Sequence, residues 1–229
     1  MDTKKERIWE IDFLRGISII MMIIFHIIFD LRDIYNYPVY YDRGFIYYMG
    51  KVAVITFILI SGISSSFSKS NVKRGLKILA IALGITIVTH LYSPALGIKF
   101  GILHFFGISM IVYPVFKNMN KYVLIVMGTL IIIAGGYSSN IVVTSNYLFP
   151  FGLISSSFVS SDYYPLLPWF GVFLYGIAAG RTFYKEKRSL FNFTLKNNFI
   201  TFLGRNSLII YVVHQPAVLL ILGLILGYK

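Results

Sequence analysis

The chain has 229 residues, of which 57% are hydrophobic and 13% are charged, and it contains no cysteine. A soluble domain carries about 25% charged residues and needs far more polar surface than this chain offers to cover a core. This composition excludes a soluble enzyme, a disordered protein and a coiled coil. The lack of cysteine excludes disulfides, thiolate metal sites and a cysteine nucleophile. The sequence therefore predicts an integral membrane protein.

Apolar stretches of about 20 residues, long enough to cross a bilayer as helices, recur along the whole chain. They predict an all-α polytopic membrane helix bundle of about seven transmembrane helices, forming a single transmembrane domain over residues 1–229. One connection, 139–165, is unusually long, which is typical of a lid or a binding loop. The predicted spans are 13–30, 46–66, 76–92, 98–116, 122–138, 166–183 and 207–226.

Positive charges in the connections predict which way the spans face. Fifteen Lys and Arg residues lie in the N-terminal segment and in the second, fourth and sixth connections, against four on the opposite side. This bias predicts a cytoplasmic N-terminus and an outward-facing connection 139–165. Most of the formal net charge of +12 is then explained by residues that set the topology and contact anionic lipid headgroups. No nucleic-acid partner is expected.

The first span carries ionisable residues, which are costly inside a membrane and usually face a cavity or a partner. At 100° per residue, Arg15 and His26 differ by about 20° around the helix and lie about 16 Å apart along its axis. Asp12 is placed to pair with Arg15 at i−3, and Asp30 is placed to pair with His26 at i+4. The pattern predicts a polar stripe with a cation at its inner end and a His–Asp pair at its outer end.

Further ionisable residues lie in the predicted membrane region. Lys51, His90 and His104 fall at depths in the outer half of the bilayer, and His214 lies deeper, beside Pro216. Because proline removes a backbone donor, the sequence predicts a break in the last span next to His214. Interfacial snorkelling and plain helix–helix hydrogen bonds are the structural alternatives for such side chains. No pair of histidines has the spacing of a zinc site, so no metal is expected.

Four motifs, in order along the chain, resemble one family of membrane proteins. They are Ile11-Asp12-Phe13-Leu14-Arg15-Gly16 followed by His26, Phe100-Gly101-Ile102-Leu103-His104-Phe105, Pro168-Trp169-Phe170-Gly171-Val172-Phe173-Leu174-Tyr175-Gly176, and Leu203-Gly204-Arg205-Asn206-Ser207 with Tyr211 and His214-Gln215-Pro216. Together they resemble the catalytic domain of heparan-α-glucosaminide N-acetyltransferase in its small prokaryotic form, within the transmembrane acyltransferase group. The resemblance covers nearly the whole chain.

The resemblance implies a multi-pass acetyltransferase of a prokaryotic plasma membrane. It would move acetyl from cytoplasmic acetyl-CoA, the acyl donor substrate, to an amine or hydroxyl of a sugar or another small extracytoplasmic acceptor. Whether the product is O- or N-acetylated, and whether the protein forms a homo-oligomer, is left open. The residues assigned to acetyl-CoA are Arg15, Arg205, Asn206 and His214, and those assigned to the acceptor side are Lys51, Asp162 and Trp169.

The implied reaction needs a base for the acceptor's proton. The catalytic set is His26 as the base, Asp30 as the group that fixes its tautomer, and His104 as a donor to the developing oxyanion. In the lysosomal member of the family, the catalytic histidine lies in the loop after the first motif helix. Segment 31–45 here contains no histidine, so His26 takes the role on physical grounds. Direct transfer is favoured over a covalent acetyl-histidine, since no observation requires a second step.

Two other functions compete with this interpretation. An intramembrane His–Asp pair also serves proton relays, so a small proton-coupled transporter is one alternative. A non-catalytic membrane partner that retains the fold is the other.

Overall fold

The computed structural model describes residues 7–94, 97–195 and 198–227, and this part of the chain is helical, with no strand. Lys4, Lys5, Lys196 and Lys229, which enter the predicted charge asymmetry, lie outside the described residues. A short 3₁₀ turn, Phe149–Phe151, lies in the connection before the sixth helix. The helices are α1 (Trp9–Asp33), α2 (Gly44–Phe67), α3 (Asn71–Tyr92), α4 (Ile102–Phe116), α5 (Lys121–Ser138), α6 (Leu166–Phe183), α7 (Phe199–Arg205) and α8 (Ser207–Leu226).

Helices α1, α2, α3, α5, α6 and α8 are long and apolar enough to cross a membrane, with 18 to 25 residues each. Helix α4 is apolar but has 15 residues. Its length of about 22 Å, at 1.5 Å per residue, is less than the hydrocarbon core of about 30 Å. Each of the seven predicted spans corresponds to a helix, and the predicted all-α membrane fold is confirmed. Helix α7 was not predicted, because seven residues are too few to produce a span-like apolar stretch.

Internal contacts divide the chain into two compact units. The first contains the chain up to Ile60 together with the residues from Glu186 onward, and the second contains Ser61–Lys185. The first unit therefore holds α1, most of α2, α7 and α8. The second holds the end of α2 and helices α3 to α6. The single-domain organisation stays a prediction.

In the first unit, α1 packs against α7 and α8. A Cβ atom at Gly16 would overlap the carbonyl of Ile200, and one at Gly204 would overlap the carbonyl of Asp12. Glycine at both positions lets the backbones of α1 and α7 touch, as small residues do between membrane helices. This close approach brings the end of α7, where Arg205 lies, to the first turns of α1.

In the second unit, α3 packs on α4 and α5 packs on α6. The backbones of α3 and α4 come together at Gly75 and Gly107, where a side chain would overlap the facing helix. Arg181, at the end of α6, donates to the carbonyls of Phe116 and Lys117 at 2.8 and 2.5 Å. These carbonyls end α4 and have no partner within that helix. Arg181 therefore stabilises a helix terminus, in addition to its part in the predicted charge asymmetry.

The long connection 139–165 is a folded part of the second unit that packs on the start of α4. The backbone N–H of Tyr164 donates to the carbonyl of Phe100 at 2.8 Å, and the hydroxyl of Tyr163 donates to the carbonyl of Phe149 at 2.6 Å. The rings of Phe149 and Phe158 stack with centroids 5.8 Å apart. Backbone hydrogen bonds and aromatic contacts thus give this connection a defined conformation.

Candidate active site

The N-terminal end of α1 carries a cluster of charges. The Nη1 atom of Arg15 lies 3.3 Å from one carboxylate oxygen of Asp12, and that of Arg7 lies 3.8 Å from the other. Arg205 also acts electrostatically on Asp12. The predicted Asp12–Arg15 pair is therefore confirmed. Two guanidinium groups at one carboxylate, with the charge of Arg205 near enough to act on it, leave an excess of positive charge that suits a multiply charged anion such as a phosphate.

Helix α1 is continuous from Trp9 to Asp33, so it presents the predicted stripe on one rigid element. Arg15 and His26 are eleven residues apart, which places them on nearly the same side of the helix and about 16 Å apart along it. Both side chains are partly buried. The stripe therefore leads from the charge cluster to the segment of α1 that carries His26.

His26 of α1 meets His214 of α8 inside the first unit. Their ring centroids are 4.9 Å apart and their planes are inclined by 60°. The Nδ1 atom of His26 and the Nε2 atom of His214 are both buried without a hydrogen-bond partner among the described residues. Because buried polar atoms are normally paired, two open nitrogens on neighbouring rings mark a candidate site for a proton or a ligand.

Asp30 has a different partner from the predicted one. Its side chain is fully buried, and the Nε2 atom of Gln215 donates to both carboxylate oxygens at 2.9 Å each. No hydrogen bond joins Asp30 to His26 in the described part of the chain, so the predicted pair is wrong. The i,i+4 spacing brings His26 and Asp30 within reach of each other. The carboxylate of Asp30 instead accepts from the side-chain amide of Gln215 on the neighbouring helix α8.

Helix α8 is not broken at its proline. It runs without interruption from Ser207 to Leu226 with Pro216 inside it, so the predicted break beside His214 is wrong. Proline is tolerated in transmembrane helices where neighbouring helices and side chains compensate for the lost backbone bond. The ring of His214 is held instead by the carbonyl oxygen of Tyr211, which lies 2.5 Å from its Nδ1 atom.

His104 lies in the second unit, and both of its ring nitrogens are engaged. Nδ1 accepts from the backbone N–H of Gly101 at 3.2 Å, which places His104 in the capping box that begins α4. Nε2 lies 3.1 Å from the hydroxyl oxygen of Thr86. To donate to an oxyanion, His104 would have to release Thr86. The geometry therefore favours a structural role for this histidine over the predicted catalytic one.

Asp162 and Trp169 also belong to the second unit. The carboxylate of Asp162 accepts from the backbone N–H of Ile102 at 3.0 Å and so satisfies the first turn of α4. The partly buried ring of Trp169 packs on Tyr164, with centroids 5.4 Å apart. Both side chains thus have a place in the fold, and their predicted role on the acceptor side stays a prediction.

Lys51 and Asn206 lie in the first unit, and among the described residues no hydrogen bond or ion pair joins either side chain to the histidine pair. Lys51 is exposed, with its Nζ atom 4.6 Å from the centre of the Tyr47 ring. Asn206 separates α7 from α8, and its side-chain amide donates to the carbonyl of Phe202 at 2.9 Å. Their predicted contacts with acceptor and donor stay predictions. Among the described residues, no group of three His, Asp or Glu side chains could hold a metal ion.

Tyr163 and Tyr41, both in connections between helices, have raised pKa values. Burial raises the pKa of Tyr163 to about 12. Burial raises the pKa of Tyr41 as well, and the hydrogen bond that its hydroxyl donates to Asp33 at 2.8 Å adds to this effect. Both hydroxyls stay protonated near neutral pH and act as hydrogen-bond donors, so neither is suited to act as a base.

Sequence reasoning missed three residues at this site. Arg7 was counted only toward topology, although its charge is close enough to Asp12 to join the cluster. Gln215 and Tyr211 stand in the quoted motif around His214, but neither was assigned a role. The sequence did offer one signal: Gln215 has an uncharged amide next to the predicted site residue His214, and the carboxylate of Asp30 in another span needs a hydrogen-bond donor.

Fold and site together define a multi-span membrane protein with a polar centre inside its helices. A family model described as heparan-alpha-glucosaminide N-acetyltransferase, catalytic, matches residues 7–216. The chain belongs to this family, as the motifs predicted, and the class of activity is that of a transmembrane acetyltransferase. The match includes every residue assigned above to the site. Neither a curated protein nor a solved structure gives a match.

Proposed function

We propose that this protein transfers acetyl from acetyl-CoA, bound from the cytoplasm, to an amine or hydroxyl of a sugar or another small acceptor outside. The observation that carries the proposal is the pair of open histidines, His26 and His214, on helices whose unit also carries the charge cluster. Membership of the family supports acetyl transfer as the chemistry. We place the protein in a prokaryotic plasma membrane with the N-terminus in the cytoplasm.

The charge cluster is the proposed binding site for the phosphates of acetyl-CoA. Guanidinium groups form paired, charge-assisted hydrogen bonds with phosphate oxygens. Three guanidinium groups are available, those of Arg7, Arg15 and Arg205. Asp12 holds Arg15 in place through their ion pair. Asn206, next to Arg205, is proposed to donate an amide hydrogen to the same ligand. The acyl-bearing arm of the donor would then extend along α1 toward His26.

His26 is proposed to act as the general base at the end of this stripe. It takes the proton from the acceptor N–H or O–H as the acceptor nitrogen or oxygen forms a bond to the acetyl carbonyl carbon. The carbon–sulfur bond then breaks, and the imidazolium returns the proton to the departing CoA thiolate. Each atom and charge is balanced without a covalent enzyme intermediate. We therefore retain direct transfer as the proposed course of the reaction.

Lys51 is proposed for the acceptor side in the first unit, and Trp169 is a separate candidate for acceptor binding in the second unit. An exposed ammonium group can bind hydroxyl or carboxylate groups, and an indole ring supplies an apolar face with one hydrogen-bond donor. Asp162 has a weaker claim, because its carboxylate already accepts from the first turn of α4.

Binding and turnover of purified protein in detergent test this function. Wild type is expected to bind acetyl-CoA by calorimetry and to transfer radiolabelled acetyl to an amino sugar or another small acceptor. His26→Ala is expected to keep acetyl-CoA binding and to lose about 10²–10⁴ in turnover. His90→Ala is the control, because it removes another span histidine that has no role in the proposed site. Failure of wild type to bind acetyl-CoA would contradict the function, and full turnover of His26→Ala would contradict the assigned base.

The alternative of a proton-coupled transporter is weakened by the structure. It depended on an intramembrane His–Asp pair, and Asp30 is instead occupied by Gln215. The binding experiment above separates the two functions, because a transporter of this kind has no need to bind acetyl-CoA.

A further inference from the structure

The tautomer of His214 follows from its hydrogen bond to Tyr211. A backbone carbonyl can only accept, so the Nδ1 atom that lies 2.5 Å from the Tyr211 oxygen carries a hydrogen. A neutral imidazole has one ring hydrogen, which leaves Nε2 of His214 with a free lone pair. That atom is buried and has no partner among the described residues. His214 therefore presents a fixed hydrogen-bond acceptor to its surroundings.

The open Nδ1 atom of His26 is the group best placed to use this acceptor. The two ring centroids are 4.9 Å apart, so a rotation of the rings that turns these two nitrogens toward each other places them within hydrogen-bond reach. Phe25 and Phe29 pack edge-on against His26. In such apolar surroundings, leaving both nitrogens unpaired costs more than a single bond that satisfies both.

We propose that His214 is the positioning residue for His26, accepting a hydrogen bond from Nδ1–H of His26 at its own Nε2. This inference rests on the proposed function, and it gives His214 a role different from the predicted contact with acetyl-CoA. The bond fixes His26 in the tautomer whose Nε2 lone pair is free to take the acceptor's proton. Asp30 was predicted to do this, but its carboxylate is held by Gln215.

The proposed bond persists through the reaction. When Nε2 of His26 takes the proton from the acceptor, the ring becomes an imidazolium whose Nδ1–H still donates to His214. A neutral acceptor stabilises this cation without placing a second full charge in the apolar interior. As the carbon–sulfur bond breaks, the proton passes from Nε2 of His26 to the thiolate sulfur, and the histidine pair returns to its starting state.

Two substitutions of His214 test this role. His214→Leu removes the acceptor and is expected to lower kcat about 10²-fold, the lower end of what a positioned base contributes, with acetyl-CoA affinity unchanged. His214→Gln keeps an acceptor oxygen and is expected to recover part of that loss. In the double variant with His26→Ala, the loss is expected to equal that of His26→Ala alone, because His214 acts through His26.

Two kinetic outcomes would overturn the proposal. One is weaker acetyl-CoA binding in His214→Leu with kcat intact, which would return His214 to the donor site. The other is a fully additive loss in the double variant, which would make the two histidines independent. Val213→Ala, which shortens an exposed neighbour on α8, controls for general disturbance of the helix.

A measurement without turnover separates this proposal from the proposed function. Nitrogen-15 chemical shifts of the four labelled histidine rings distinguish protonated from unprotonated ring nitrogens. We expect a protonated Nδ1 in both His26 and His214, and a change at Nε2 of His214 when His26 is replaced by alanine. An unchanged His214 signal would overturn the pairing even if the enzyme is active. If the nitrogen-15 signals are as expected but the protein does not bind acetyl-CoA, the histidine pairing stands and only the proposed function is contradicted.

Discussion

Gln215 donates its side-chain amide to both carboxylate oxygens of Asp30, at 2.9 Å each, and so ties α8 to α1. Asp30 is fully buried. Burying a carboxylate costs free energy unless hydrogen-bond donors satisfy its oxygens. Asp30 can therefore be buried here because Gln215 donates to it. The contact also fixes the register of the two helices that carry His26 and His214. Asp30 therefore supports the histidine pair through helix packing rather than by touching it.

This relationship predicts that an amide can replace the carboxylate. In Asp30→Asn, the new Oδ1 accepts from Gln215 and the new Nδ2 reaches Oε1 of Gln215, which has no partner in the described structure. We expect an unchanged or higher Tm and turnover close to wild type. Asp30→Leu leaves the Gln215 amide unpaired and is expected to lose about 1–3 kcal/mol of unfolding free energy. A large fall in kcat for Asp30→Asn at unchanged Tm would instead make Asp30 the partner of His26.

A second prediction concerns the charge cluster. Arg15→Gln and Arg205→Gln each remove a cation that acts on Asp12, and each is expected to weaken acetyl-CoA binding about tenfold or more. The remaining affinity should depend less on salt, because fewer charges are paired in the complex. Arg188→Gln is the matched control, since this exposed arginine pairs with Glu186. Unchanged calorimetric affinity in both site variants would remove these residues from the donor site.

The spans and the Asp12–Arg15 pair were accessible from the sequence, whereas the environment of the histidines was not. Hydropathy and helical spacing depend on neighbours along the chain, so they predicted α1 and the Asp12–Arg15 pair. The partner of Asp30 lies 185 residues away on α8, where spacing carries no information. The engaged nitrogens of His104 depend on the backbone of its own helix start and on Thr86 of another helix. The tertiary contacts, and not the residue types, decide which histidine keeps a ring nitrogen without a hydrogen-bond partner.

A third prediction concerns the crossing of α1 and α7. Gly204→Ala places a methyl group against the carbonyl of Asp12 and forces the two helices apart. We expect a loss of about 1–3 kcal/mol in unfolding free energy, from overpacking, and weaker acetyl-CoA binding because Arg205 moves with α7. Gly136→Ala on α5 is the control, since apart from the local backbone of α5 itself no described atom lies within 4 Å of its Cβ position, and alanine favours a helix. Equal Tm values for the two variants would contradict the close packing.

A fourth prediction separates structure from acceptor binding at Asp162. Its carboxylate accepts from the N–H of Ile102 at the start of α4, so Asp162→Ala is expected to lower stability by about 1 kcal/mol. Asp162→Asn keeps an acceptor oxygen and should restore most of that loss. Thermal unfolding in detergent measures both effects. A raised KM for the acceptor at unchanged Tm would return Asp162 to the acceptor side.

A fifth prediction concerns orientation, for which an introduced cysteine is the sole thiol of the purified chain because the sequence has no cysteine. Lys185 and Ser156 are both exposed, one after α6 and the other in connection 139–165. The excess of Lys and Arg on one side predicts that Ser156→Cys reacts with an impermeant maleimide in intact cells. Lys185→Cys should react only after the membrane is permeabilised. Labelling of Lys185→Cys in intact cells, with Ser156→Cys protected, would invert the topology and place the charge cluster outside, away from cytoplasmic acetyl-CoA.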